Sequence, residues 1–261
     1  MPTDAGGSRV AVVTGASRAL GREVARELVA REFRVATCST GPAGPGVGES
    51  LHVAVDVRDP ESVGRFAEAV GSRFGRVDAV VNNAGFASPV APVGSATVEE
   101  IRRTFETNAL GPIFVARALL PRLTAAPGGG VVVNIASRAA ITPVPGLAAY
   151  SASKAALVAF TLDLAKETPP DRLFAVAVCP GGIDTEMRAR LYGPDDARRQ
   201  LPVGDVARVV AEIVSDRTVG GRPFGSGSAV LVTREEGTRV VEWPADARGF
   251  SSLEWRSPAK G

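Results

Sequence analysis

A continuous apolar run, Arg9-Val10-Ala11-Val12-Val13, leads without a break into Thr14-Gly15-Ala16-Ser17-Arg18-Ala19-Leu20-Gly21 and then a helical pattern from Arg22 to Arg31. A strand with no polar alternation must be buried on both faces, and such strands belong to parallel sheets covered by helices. Further strand patterns lie at 33–38, 51–57, 77–81, 131–135, 174–178 and 229–233, separated by helical patterns at 60–74, 95–124, 150–167 and 204–214. Alternating strands and helices predict an α/β fold with a parallel sheet of about seven strands flanked by helices. The helix over 95–124 is expected to bend near Gly111-Pro112. Residues 238–243 are expected to return against 229–233 as a C-terminal hairpin. With neither linker nor internal repeat, the 261 residues read as one domain with tails at 1–8 and about 245–261.

The charge balance removes whole classes of function. A net charge of +2, with acids and bases interspersed, gives no reason to invoke nucleic acid or an anionic membrane. No apolar run reaches the roughly 18 residues of a membrane span, and no signal-type leader opens the chain. Cys38 and Cys179 lie in apolar strand patterns and read as buried thiols rather than a disulfide. The one histidine, His52, leaves no cluster for a metal and no Ser-His-Asp triad. A soluble, cytoplasmic setting is expected.

Strand, glycine turn and helix in direct succession is also the arrangement that holds phosphate. Gly15 makes the turn, and backbone N–H groups at the helix start favour an anion. A glycine turn can equally serve geometry alone. In dinucleotide-binding folds an acid about 20 residues on holds the ribose hydroxyls of NAD; here Ser39 and Thr40 stand there, and Arg18 can reach a 2′-phosphate. NADP(H) is therefore expected over NAD(H). Asp56, at the end of a strand, reads either as a ligand group or as an acid leading a helix. Asn82 and Asn83 at another strand end can tie loops together. Tyr150 and Lys154 are four residues apart, hence on one face of a helix. An ammonium so placed favours the phenolate and should pull the tyrosine down toward neutral pH.

Together, TGASRALG (14–21), Asp56, NNAG (82–85), Asn108, Ser137, YSASK (150–154) and PGGIDT (180–185) resemble the short-chain dehydrogenase/reductase family over about 10–232. The resemblance implies a Rossmann-type doubly wound sheet and a nicotinamide-dependent oxidoreductase. It implies that Tyr150 acts as general acid in ketone reduction and base in alcohol oxidation, that Lys154 lowers its pKa and holds the nicotinamide ribose, that Ser137 bonds the substrate oxygen, and that Asn108 holds a water linking Lys154 to solvent. For the cofactor it implies Gly15, Ser17, Arg18, Leu20, Gly21, Ser39, Thr40, Asp56, Val57, Asn83, Ala84, Gly85, Tyr150, Lys154, Pro180, Gly181, Ile183 and Thr185. Pairing through the helices of Asn108 and Tyr150 implies a homo-oligomer, either dimer or tetramer.

Three features depart from the family pattern. Ala19 replaces the middle glycine of the turn, and its methyl crowds a bound diphosphate unless φ stays negative. The stretch 186–202 is short for a substrate lid. The C-terminus carries a hairpin and a tail with Phe250, Leu253 and Trp255, which either cap the pocket, dock on a neighbouring subunit or pack locally. The expected substrate lining is Phe86, Ala87, Arg138, Ile141, Val144, Leu147, Met187 and Tyr192, mostly apolar, which favours a hydrophobic ketone or alcohol. The competing reading is a catalytically silent cofactor-binding regulator. The intact set Asn108, Ser137, Tyr150 and Lys154 weighs against it.

Overall fold

The computed structural model describes residues 7–41, 51–142 and 144–242. In chain order its elements are β1 (Val10–Thr14), α1 (Ala19–Ala30), β2 (Arg34–Ser39), β3 (Leu51–Ala54), α2 (Pro60–Phe74) and β4 (Ala79–Asn82). There follow α3 (Val98–Phe105), a π-helical turn (Glu106–Leu110), α4 (Gly111–Thr124), β5 (Gly130–Ile135), α5 (Ala148–Glu167) and β6 (Leu173–Pro180). The chain then forms α6 (Glu186–Tyr192), α7 (Pro194–Arg198), α8 (Val203–Asp216), a short ribbon of β7 (Thr218–Val219) and β8 (Arg222–Pro223), and the hairpin β9 (Ser228–Thr233) with β10 (Gly237–Glu242).

The main sheet has eight strands in the order β10-β9-β6-β5-β4-β1-β2-β3, parallel throughout except for β10 against β9. It is the doubly wound sheet expected, with the hairpin supplying the extra strand. Successive residues of β1 serve opposite layers, as a strand's two-residue period requires. Ala11 and Val13 pack with Leu20, Val24 and Leu28 of α1 and Val206, Val210 and Ile213 of α8. Val12 packs with Phe66 and Val70 of α2, Val115 and Leu119 of α4, and Leu164 of α5. The sequence reverses direction at β1, which has β2 on one side and β4 on the other. The crevice outside the carboxyl ends of these strands is where such sheets bind ligands.

Three local features differ from the sequence expectations. β3 stops at Ala54, so Asp56 lies beyond it; Asp59, not Asp56, caps α2 by accepting from Glu61 N. The break in the long helix falls before Gly111, in the π-helical turn, with Asn108 buried at its centre. The hairpin forms, but Trp243 and the tail residues Phe250, Leu253 and Trp255 lie outside the described residues. Cys38 and Cys179 are buried free thiols. No helix among the described residues is long and apolar enough to cross a membrane.

Candidate active site

A cleft of about 440 Å³ opens at the carboxyl ends of the strands. All the residues expected to hold the dinucleotide line it, from Gly15 in the first turn to Thr185 beyond β6. Their arrangement follows from local hydrogen bonding. Gly15 N and Ala16 N both donate to Cys38 O, at 2.7 and 3.2 Å, which folds the turn onto β2 and takes those two N–H groups away from any ligand. Asn83 Nδ2 donates to Thr14 O and Gly15 O at 3.0 and 3.1 Å, while Thr14 Oγ1 accepts from Asn83 N and Ala84 N at 3.0 Å. The turn and the end of β4 are thereby stapled together. A Cβ at Gly15 would stand 2.8 Å from Ala84 Cα, and one at Gly21 would stand 2.4 Å from Asn83 Nδ2, so both positions exclude side chains.

The start of α1 has no side-chain cap and no acid in its first turn, so its free N–H groups and positive dipole end lie in the cleft. With Arg18 beside it, this end fits an elongated anionic cofactor. Ala19 sits there at φ 44°, in the left-handed region, which closes the negative-φ alternative. Arg18 itself donates to Glu186 Oε2 of α6 at 2.8 Å. At the other end, Arg58 grips the Asp56 carboxylate through Nε and Nη2, and its N–H donates to Asp56 Oδ1 at 3.0 Å. The Arg58 hydrogen bonds hold the Asp56 carboxyl below its ordinary value.

Ser137, Tyr150 and Lys154 also line the cleft. Ser137 Oγ accepts from Ala139 N at 3.1 Å, which uses a lone pair and not the hydroxyl hydrogen. Lys154 Nζ donates to Ile135 O at 2.7 Å, and the side chain is buried. The ammonium lies 5.9 Å from the Tyr150 ring centre. Even with that neighbour, the net acidification expected of the tyrosine is not found. Burial lifts the phenol above its ordinary value, and the hydrogen bond with Ser137 pulls the other way. Burial pushes Lys154 down to about 8.

Asn108 does not reach the cleft surface. Its Nδ2 donates to Phe86 O at 2.8 Å and Ser153 Oγ at 3.0 Å, and its Oδ1 accepts from Phe86 N at 2.8 Å. Both amide hydrogens are spent on protein, so the side chain has only a spare lone pair for a water. Asn108 Oδ1 and Lys154 Nζ approach the space beside Gly85 from two sides, 3.6 and 3.7 Å from where a Cβ would stand.

Of the expected substrate residues, Phe86, Leu147, Met187 and Tyr192 line the cleft, whereas Ala87, Arg138, Ile141 and Val144 do not. For Arg138, Ile141 and Val144 the reason is the 3₁₀ turn Arg138–Ala140, which starts directly after Ser137 and leaves Ile141 exposed. The return loop then pairs elsewhere, with Ala91 N donating to Gly146 O at 3.0 Å. Arg103, Arg188 and Arg190 also line the cleft, making it more cationic than its sequence lining implied. Arg188 is committed to Asp196 and stacks on Tyr192, and Arg103 stacks on Phe86. Helical periodicity across 186–192 would have placed Met187 and Leu191 on one face, but no local signal in the sequence tells which cavity that face meets.

Residues 9–195 match the family model for short chain dehydrogenases. The chain is 36% identical over 234 residues to 1-deoxy-11-beta-hydroxypentalenate dehydrogenase of Streptomyces arenae, covering 80% of each chain. It is 34% identical over 243 residues to 2-(R)-hydroxypropyl-CoM dehydrogenase of Xanthobacter autotrophicus, covering 86% of this chain and 97% of that one. Among solved structures, 3-ketoacyl-(acyl-carrier-protein) reductase of Brucella melitensis complexed with NADH superposes with a TM-score of 0.78 at 29% identity. That match covers 87% of this chain and 97% of that one.

Proposed function

The chain belongs to the short-chain dehydrogenase/reductase family, and from that membership we propose an NADP(H)-dependent ketoreductase that also runs as a secondary alcohol dehydrogenase. When bound, the nicotinamide supplies or accepts the hydride. The observation that carries this reading is the convergence of Ser137, Tyr150 and Lys154 on one cleft, with Ser137 hydrogen-bonded to Tyr150.

In the reducing direction Ser137 donates a hydrogen bond to the substrate oxygen, aimed where alkoxide charge develops. Tyr150, a phenol that keeps its proton at neutral pH, gives that proton to the same oxygen. Lys154, charged below about 8, stabilises the phenolate left behind. Asn108 positions the Phe86 loop against α5. Arg18, Ser39 and Thr40 favour a 2′-phosphate. The substrate is a small ketone or alcohol whose apolar part meets Phe86, Leu147, Met187, Leu191 and Tyr192. The relatives named above are, by their names, dehydrogenases of hydroxylated small molecules, which agrees with an alcohol–ketone reaction. Apolar exposure at Val98, at the start of α3, and Leu110, in the π-helical turn, supports a homo-oligomer. Two buried free thiols agree with a reducing, cytoplasmic setting.

The test is a panel of ketones and alcohols assayed with NADPH and NADP⁺ against NADH and NAD⁺. Turnover with the phosphorylated cofactor is expected. Intact NADP⁺ binding without turnover on any of them would instead support the silent regulator.

A further inference from the structure

Residues 182–201 form a flap, joined at its base, that lines one side of the cleft. Their ends are joined by Leu201 N donating to Gly182 O at 3.1 Å and Asp184 N donating to Leu201 O at 2.9 Å. Inside the flap, Arg188 ties α6 to α7 by donating to Asp196 and stacks on the Tyr192 ring at 4.0 Å. The flap is therefore braced within itself. Among the described residues, one ion pair links α6 or α7 to the body of the fold: Arg18 Nη1 to Glu186 Oε2, at 2.8 Å and 168 positions apart. Both residues line the cleft, Arg18 in the glycine turn and Glu186 at the start of α6.

This pair sets two anions in competition. Arg18 stands in the turn that folds onto the end of β2, where Ser39 and Thr40 also line the cleft, the place where the proposed reading puts a 2′-phosphate. In the structure its guanidinium is already donated to a carboxylate. Glu186 also brings a negative charge to the cleft that a phosphate must enter, and like charges oppose binding. Both effects act in one direction, and they weigh more on the dinucleotide that carries the extra phosphate than on one that brings only its diphosphate.

We propose that Glu186 is a cofactor-selectivity residue. It holds Arg18 by its side chain and thereby weakens the enzyme's hold on a 2′-phosphate; capture of that phosphate by Arg18 releases this ionic tether of the flap. The inference rests on the NADP(H) reading above. The pair is more than half exposed on both sides, so its effect is modest, about two- to fivefold in affinity at low ionic strength.

Calorimetric titration of the wild-type chain, Arg18→Gln and Glu186→Gln with NADP⁺ and with NAD⁺ tests this. Glu186→Gln is expected to tighten NADP⁺ about two- to fivefold and to change NAD⁺ less. Arg18→Gln is expected to weaken NADP⁺ more than NAD⁺. If Arg18→Gln weakens NADP⁺ while Glu186→Gln leaves it unchanged or looser, or tightens both cofactors equally, the role of Glu186 is overturned and the cofactor reading stands. If Arg18→Gln leaves the NADP⁺ to NAD⁺ ratio untouched, the cofactor reading falls and takes the proposal with it.

Discussion

Asn108 and Phe86 hold each other in a two-way clasp: Phe86 N donates to Asn108 Oδ1 and Asn108 Nδ2 donates back to Phe86 O, both at 2.8 Å. The asparagine is fully buried in a π-helical turn, and the loop it grips continues directly from the Asn83–Gly85 wall of the cleft. π-Helical turns cost regular helix bonding and recur at functional sites. Here the extra residue turns an amide inward where an unbroken helix would place it elsewhere.

Removing that amide should therefore damage stability and catalysis together. Asn108→Ala leaves the backbone N–H and C=O of Phe86 without their partner, at a cost of about 2–4 kcal/mol for the pair. A urea titration should show the midpoint falling at unchanged slope, and ketone turnover should drop with it. A midpoint equal to the wild type would show that the clasp is dispensable.

Lys154 carries a pH signature with a definite sign. Burial lowers its folded value from 10.5 to about 8. Between these limits the unfolded chain binds the proton and the folded one does not, so this group makes stability rise with pH from about 8 to 10.5. Below about 8 the full cost of a buried ammonium is present, on the order of 3 kcal/mol. Cys179 and Cys38, pushed up to about 11 and about 12, act oppositely above pH 9, because the unfolded chain gives up thiol protons that the folded one keeps. The difference between wild type and Lys154→Met isolates the lysine. The variant should be the more stable at pH 7, the gap narrowing as pH rises past about 8. Equal stability at pH 7 would mean that the Ile135 carbonyl bond repays the burial in full.

What the sequence made legible was whatever is local. The apolar runs at β1, β4, β5 and β6 can be buried only as parallel strands, and the glycine turn and YSASK spacing are fixed within a few residues. Cofactor-side residues follow strand ends, which patterning locates well, so they all fell in one cleft. The substrate side is built by loops whose course depends on tertiary pairing. The 3₁₀ turn after Ser137 removed Arg138, Ile141 and Val144 from the cleft, and the flap brought in Arg188, Arg190 and Leu191. Nor could spacing alone give the balance of burial against charge at Tyr150, because it shows neighbours but not the loss of solvent.

Ala19 stores strain that glycine would relieve. At φ 44° its Cβ crowds the backbone, a cost of about 1–2 kcal/mol. Glycine returns up to about 1 kcal/mol of that in unfolded-state entropy. Ala19→Gly should thus raise stability by about 0.5–1 kcal/mol in thermal unfolding, and NADP⁺ should bind as well or more tightly once the methyl leaves the cleft. Looser binding would show that the alanine preorganises the turn rather than crowding it.

The proton carried by Tyr150 is the step on which the proposed chemistry turns. Tyr150→Phe removes one hydroxyl and leaves the ring, its place on α5 and the nearby lysine. Cofactor affinity should therefore stay within about twofold, while reduction loses the roughly 10²–10⁴-fold that a placed acid contributes. The pH profile supplies an independent check. Tyr150 keeps its proton beyond the ordinary tyrosine range and Lys154 loses its charge near 8, so the lysine is the first of the two to titrate. A phenolate formed without that charge is dearer, and kcat/KM for ketone reduction should fall as pH passes about 8. A profile flat to pH 10 would remove the lysine's charge from the step, and turnover persisting in Tyr150→Phe would move the proton's source to another group.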